Sequence, residues 1–181
     1  MSLKNTLLAD LSRQYLFGGQ KERKVSLSGV IISSLSPRFA PVVIFRLSHW
    51  CFERKLPVLP KALSLVNFIV FGLEVAVRCK IGPGLYFPHT QGTVIGALQI
   101  GKNATIYHNV TLGAREVDVG YSTSSRPVVG DNAILGSGAK ILGPVVLGDD
   151  VRVGANAVVV DDVASGLTVV GIPARPLKRG D

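Results

Sequence analysis

At 181 residues the chain is one small-to-medium unit, and its formal charge of +8 lies entirely in its N-terminal part: residues 1–80 hold twelve Lys and Arg against four Asp and Glu, while residues 81–181 hold eight of each. No recognition motif or basic–aromatic interleaving accompanies that charge, which excludes nucleic acid as the partner and leaves a solvated surface, an anionic membrane face or phosphate-bearing substrates. Cys51 and Cys79 have neither a CxxC neighbour nor His spacing. That excludes a disulfide framework and a zinc site, and both read as small buried hydrophobes in a reduced compartment.

In chain order, Leu7, Leu8, Leu11 and Tyr15 fall at helical spacing and predict a helix over 5–16, ended by Gly18-Gly19. A second helix is predicted over 39–56, with Pro41 near its start and Pro57 and Pro60 breaking it. A third is predicted over 61–72. The opening residues lack the apolar core of a signal peptide. The most apolar run, 62–77, is about sixteen residues and holds Asn67 and Glu74, short of the roughly twenty that a spanning helix needs. The expectation is a cytoplasmic protein, with contact to the inner membrane surface through the segment 28–77, and an α-helical region over 1–78.

From residue 79 onward the chain predicts a β-domain, because the pattern changes to a period of six. Aliphatic residues recur at Ile100, Ile106 and Leu112, then at Val129, Leu135, Ile141, Leu147, Val153 and Val159. A small or β-branched residue follows four positions later, as at Ala104, Ala133 and Ala157, and glycine usually follows the aliphatic. Neither a helix nor a half-buried strand has this period; a hexapeptide β-helix does. Three hexapeptides make one triangular coil, with the aliphatic inward and the glycine at the bend, where it allows positive φ. Ile81 and Phe87 are six apart, so the prism is expected to start near Ile81. The step from Phe87 to Ile100 is thirteen, one residue out of register, across the segment 88–96. A second break expels a loop over 113–128. The two prolines and basic residues of 168–179 close the array.

The segments CKIGPGLYFPHTQGTVIG (79–96), VTLG (110–113), GSGAKILG (136–143) and VVGIPAR (169–175) resemble the serine acetyltransferase branch of the hexapeptide-repeat acyltransferases. The resemblance implies a left-handed parallel β-helix preceded by helices, acetyl-CoA as co-substrate, no metal, and a homotrimer with the site between subunits. It places the catalytic base at His89 and its carboxylate partner fifteen residues earlier, at Glu74. An alcohol attacks a thioester well only when a base takes its proton, and imidazole titrates in the useful range. The carboxylate holds the tautomer, and a backbone N–H, at Gly113 or a neighbour, meets the oxyanion. CoA contacts are implied at Gly136, Ser137, Gly138 and Arg152, with Lys178 or Arg179 near its phosphates.

Two departures concern the acceptor. Pro88 stands where the family has Asp, and Ser124-Ser125-Arg126 stands where it has an Asp-Arg-His run, so the ionic grip on a serine zwitterion looks weakened. With its short, apolar, basic flank, the chain is closer in character to the colanic-acid-type exopolysaccharide O-acetyltransferases. The expectation is therefore O-acetylation of a sugar or oligosaccharide hydroxyl, with His108, Arg126 and the ring of Tyr86 or Tyr121 lining the acceptor cleft. The alternative is serine O-acetyltransferase with L-serine as acceptor. A third reading is a non-catalytic β-helix, either a scaffold or a γ-carbonic-anhydrase-like metal protein. The metal version needs three facing histidines, and only His89 and His108 lie in the prism.

Overall fold

A computed structural model of the chain describes residues 1–20, 22–118 and 120–177. Helix α1 (Leu3–Phe17) starts at Ser2, whose hydroxyl accepts the Asn5 N–H, and ends at the glycine pair. A short helix α2 (Leu27–Ser33), capped by Ser26, was not expected; seven residues are too few to establish a period. Helices α3 (Ala40–Glu53) and α4 (Leu59–Phe71) pack against each other. Pro60 opens α4 rather than merely breaking α3, because a first-turn N–H has no intrahelical partner to lose. The pair is held by polar bonds: Asn67 donates to the Pro41 carbonyl at 3.0 Å, and Ser48 to the Pro60 carbonyl at 2.9 Å.

The prism follows, and its first strand comes earlier than Ile81 predicts, at β1 (Leu73–Val75). The first face carries β1, β3 (Thr93–Ile95), β6 (Thr111–Gly113), β9 (Lys140–Leu142) and β12 (Val158–Val159). The second carries β2 (Lys80–Ile81), β4 (Gln99–Ile100), β7 (Val128–Val129) and β10 (Val146–Leu147). The third carries β5 (Thr105–Ile106), β8 (Ile134–Leu135), β11 (Arg152–Val153), β13 (Thr168–Gly171) and β14 (Ala174–Pro176). All neighbours are parallel except β13 and β14, whose antiparallel turn ends the stacking. This is the left-handed β-helix with helical N-terminal region that the repeat predicts. Its core is the repeat itself: Ile95, Leu112, Ile141 and Val159 stack in one column, and Ile106, Leu135, Val153 and Val169 in another. Each such burial is worth about 1.5–3 kcal/mol.

The glycine that follows most of the aliphatics is there because a side chain would clash at the bend, and not for positive φ. It is not in the left-handed region; it permits close approach of the next coil. A Cβ on Gly101 would lie 2.6 Å from the Gly130 carbonyl carbon, and one on Gly130 2.7 Å from that of Gly148. Positive φ falls two residues later instead, at Asn103, Asn132 and Asp150. Their side chains bond up the edge, Asn103 to Asn132 and Asn132 to Asp150, each at 3.0 Å.

One buried ion pair joins helices to prism. Arg46 of α3 donates to both Asp10 oxygens, at 2.8 and 3.1 Å, and to the carbonyls of Ile81 and Gly82. Asp10 also accepts the Gly84 and Leu85 N–H groups, each at 2.8 Å. Burial pushes the Asp10 carboxyl up, opposed by the Arg46 charge and these bonds.

Candidate active site

The step from Phe87 to Ile95 is eight residues where the next coil takes six from Ile106 to Leu112, so two extra residues swell the edge where the third face turns into the first, and the five-residue step to Ile100 takes one back. The swollen corner, 88–92, is held by the Thr90 hydroxyl donating to the Phe71 carbonyl at 2.8 Å, and it turns at Gly92 with φ 70°. His89 projects from it into solvent. His108 sits at the same edge one coil on, its ring edge-to-face with His89 at 5.7 Å between centroids. The His108 carbonyl accepts the Gly138 N–H at 3.0 Å, so Ser137 and Gly138 continue the same edge. Gly136 and Gly138 have local reasons to be glycine. A Cβ on Gly136 would lie 2.8 Å from the Val153 carbonyl oxygen, and Gly138 takes φ 74°. Arg152 is exposed on β11 of the adjoining third face.

Glu74 lies on β1, level with Val94 and exposed on the first face. In the strand, alternation sends Leu73 and Val75 inward and Glu74 outward. Among the described residues neither Glu74 nor His89 makes a side-chain hydrogen bond or ion pair, so the structure does not bring the two expected partners together.

A second group of residues occupies the opposite edge of the first face, roughly 10 Å away, the length of a three-residue strand. Gly113 ends β6 there. A Cβ built on it would meet no heavy atom within 4 Å, unlike the packing glycines, so it borders open space. The expelled loop folds back on this edge, and Arg126 is its internal strut. The guanidinium donates to the Gly96 carbonyl at 2.8 Å and to Asp118 Oδ2 at 2.9 Å, and lies 3.8 Å from the centre of the Tyr121 ring. Tyr121 donates to the Ala97 carbonyl at 2.6 Å. The Ser122 N–H, then the Ser125 hydroxyl and Arg126, hold the Asp118 carboxyl below its ordinary value. Arg126 was expected to hold substrate; its two terminal nitrogens are instead committed to Gly96 and Asp118, and its Nε is buried without a partner among the described residues. Arg115 likewise bonds the carbonyls of Leu142 and Val160. Residues 115–118 with Ser122, Ser125, Gly143 and Pro144 line a cleft of about 370 Å³.

Tyr86 is the second correction. It stands at a strand position of the third face, opposite Thr105, and is stacked on Phe17 of α1 at 5.0 Å and 9°. Covered by that helix, it offers no platform to an acceptor. His49 bonds the Val77 carbonyl through Nδ1 at 2.7 Å and takes no part in this corner. Arg78 was not singled out by the sequence. It is exposed at the loop edge, 5.9 Å from the Tyr121 ring centre, with no acidic partner among the described residues. Its only signal was adjacency to the first matched segment. Among the described residues no three His, Cys, Asp or Glu side chains converge on a metal-sized site. Lys178 and Arg179 lie outside the described residues.

Comparison with known proteins gives this geometry a context. A family profile described as bacterial transferase hexapeptide (six repeats) matches residues 126–161. The chain is 39% identical over 146 residues to a serine acetyltransferase of Helicobacter pylori strain J99, covering 80% of this chain and 84% of that protein. It is 37% identical over 153 residues to the serine acetyltransferase of Synechococcus elongatus, covering 84% of this chain but 62% of that protein. Neisseria gonorrhoeae serine acetyltransferase superimposes with a TM-score of 0.81 at 30% identity, over 98% of this chain and 66% of that one. A serine acetyltransferase in complex with CoA superimposes at 0.78 with 26% identity, over 97% of this chain and 70% of that one. These relatives overturn the expectation of a sugar acceptor and an exopolysaccharide role, since they carry serine in their names at substantial identity. The substitutions at Pro88 and 124–126 were too few residues to outweigh similarity spread over most of the chain. The chain belongs to the hexapeptide-repeat acyltransferases, in the group its serine acetyltransferase relatives form.

Proposed function

We propose that the protein is an acetyl-CoA-dependent serine O-acetyltransferase. The observation that carries the reading is the His89 corner, a register slip that presents an imidazole at a prism edge, in a chain 39% identical to a named serine acetyltransferase along 84% of its length. His89 takes the serine hydroxyl proton as the oxygen attacks the thioester carbonyl carbon. Glu74 orients the imidazole and stabilises its cationic form. The tetrahedral oxyanion is met by a backbone N–H at the open ledge of Gly113. The C–S bond then breaks, and His89 returns its proton to the departing thiolate, giving O-acetylserine and CoA. General base action of this kind contributes roughly 10²–10⁴-fold.

The two edges of the first face divide the labour. His89, His108 and Ser137 stand on one, Gly113, Arg78 and the loop on the other. A homotrimer about a threefold axis sets one protomer's His edge against the next protomer's loop edge, and Arg78 becomes the cation offered to the serine carboxylate. The test is CoA release from acetyl-CoA with serine present and absent, with products identified by mass spectrometry. Saturable O-acetylserine formation is expected. Release of CoA that serine does not accelerate would overturn the assignment.

A further inference from the structure

Helix α4 is built inside out. Its inward side carries Asn67, bonded to the Pro41 carbonyl, and Ser64, whose hydroxyl is 3.2 Å from that of Ser48. Its outward side carries Leu65, Phe68, Ile69 and Val70, which keep 56%, 57%, 70% and 59% of their surface exposed. A surface helix normally shows the reverse. Over residues 54–73 the charged side chains are Arg54, Lys55 and Lys61, with no Asp or Glu. Leu35, on the loop that leads into α3, is also exposed.

We infer that the outer face of α4 seats on an anionic lipid surface, lying in the plane of the headgroups. The apolar side chains enter the acyl boundary, and Lys55 and Lys61 meet lipid phosphates, while Arg54 is held over the Trp50 ring at 3.7 Å. Thirteen residues of helix reach roughly 20 Å, and among the described residues no helix is long and apolar enough to cross a membrane, so α4 lies on the bilayer. Charge decides between this and a second copy. A self-complementary contact through α4 offers these cations no acidic residue of that segment to pair with. An anionic leaflet supplies the missing sign.

Co-sedimentation of the full chain with vesicles tests the inference, using phosphatidylcholine with and without phosphatidylglycerol. Binding to the anionic vesicles is expected to exceed binding to the zwitterionic ones by about tenfold or more at low salt. Phe68→Ser with Ile69→Ser should lower anionic binding about tenfold or more. Lys55→Gln with Lys61→Gln should remove most of the anionic preference. Both variants should melt as the parent does and release CoA at its rate in vesicle-free solution. Absence of binding to anionic vesicles would overturn the inference. So would full binding by both variants, or a change in oligomer mass in the Phe68→Ser, Ile69→Ser protein without a change in vesicle binding, which would assign the face to a second copy.

Discussion

His89 owes its position to the swollen corner between Phe87 and Ile95, and its environment is sparse: solvent and the His108 edge at 5.7 Å. Removing it should remove chemistry and little else. His89→Ala is expected to lower turnover by at least about 10²-fold while CoA affinity stays nearly unchanged, measured by steady-state kinetics and CoA titration. Near-normal turnover in a folded variant would sink the assignment. Cys79 makes the opposite case, a titratable group with no part in the site. It is wholly buried, and that burial pushes its thiol up to about 12. With Cys51 also buried, an aromatic disulfide reagent at mildly alkaline pH should find no fast thiol in the native protein, and both once it is unfolded. A fast native thiol would show that the first coil, at Cys79, or α3, at Cys51, opens.

At the scale of elements, the expelled loop and the helical cap are each held by one charged pair, in different surroundings. The loop's pair is Asp118 with Arg126. Because the folded Asp118 carboxyl lies below its ordinary value, its contribution is fully present above the unfolded value of about 4 and is lost as pH falls through the lowered folded one. The Ser122 amide should therefore stay protected from exchange between neutral pH and about 4, and lose protection only below that. Loss of protection near pH 6 would mean that another group closes the loop. The cap's pair, Asp10 with Arg46, is fully buried and anchors α1 and α3 to the first coil. Asp10→Ala leaves a buried guanidinium without its partner and should cost about 3–5 kcal/mol in denaturant unfolding. The double change Asp10→Leu, Arg46→Met should cost less than Asp10→Ala, since it leaves no unpaired charge.

For the whole molecule, the proposed trimer rests on the prism's outer faces. Val94 on the first face and Val146 on the second are partly exposed aliphatics on flat sheets, a surface that a second and third copy can cover. Light scattering should give three times the chain mass of 19.2 kDa, or a multiple of that trimer. A stable monomer at micromolar concentration would refute it. The sequence by itself determined the coil, because a six-residue period is a local property: it states which side chains point inward before any contact is known. It also marked the His89 corner, since a register slip is visible as a count. What lies over the coil was decided by tertiary structure. Tyr86 is lost to the site because Phe17 covers it, and the first coil is fastened by Asp10, 74 residues before the Gly84 N–H that it accepts. Arg126 reads as a free cation in sequence, yet the fold brings Gly96, thirty residues earlier, to its guanidinium. The outward apolar face of α4 belongs to the same class. Helical spacing places Asn67 and Ile69 on different sides, but only packing against α3 decides which side faces in, and there the Pro41 carbonyl claims the asparagine.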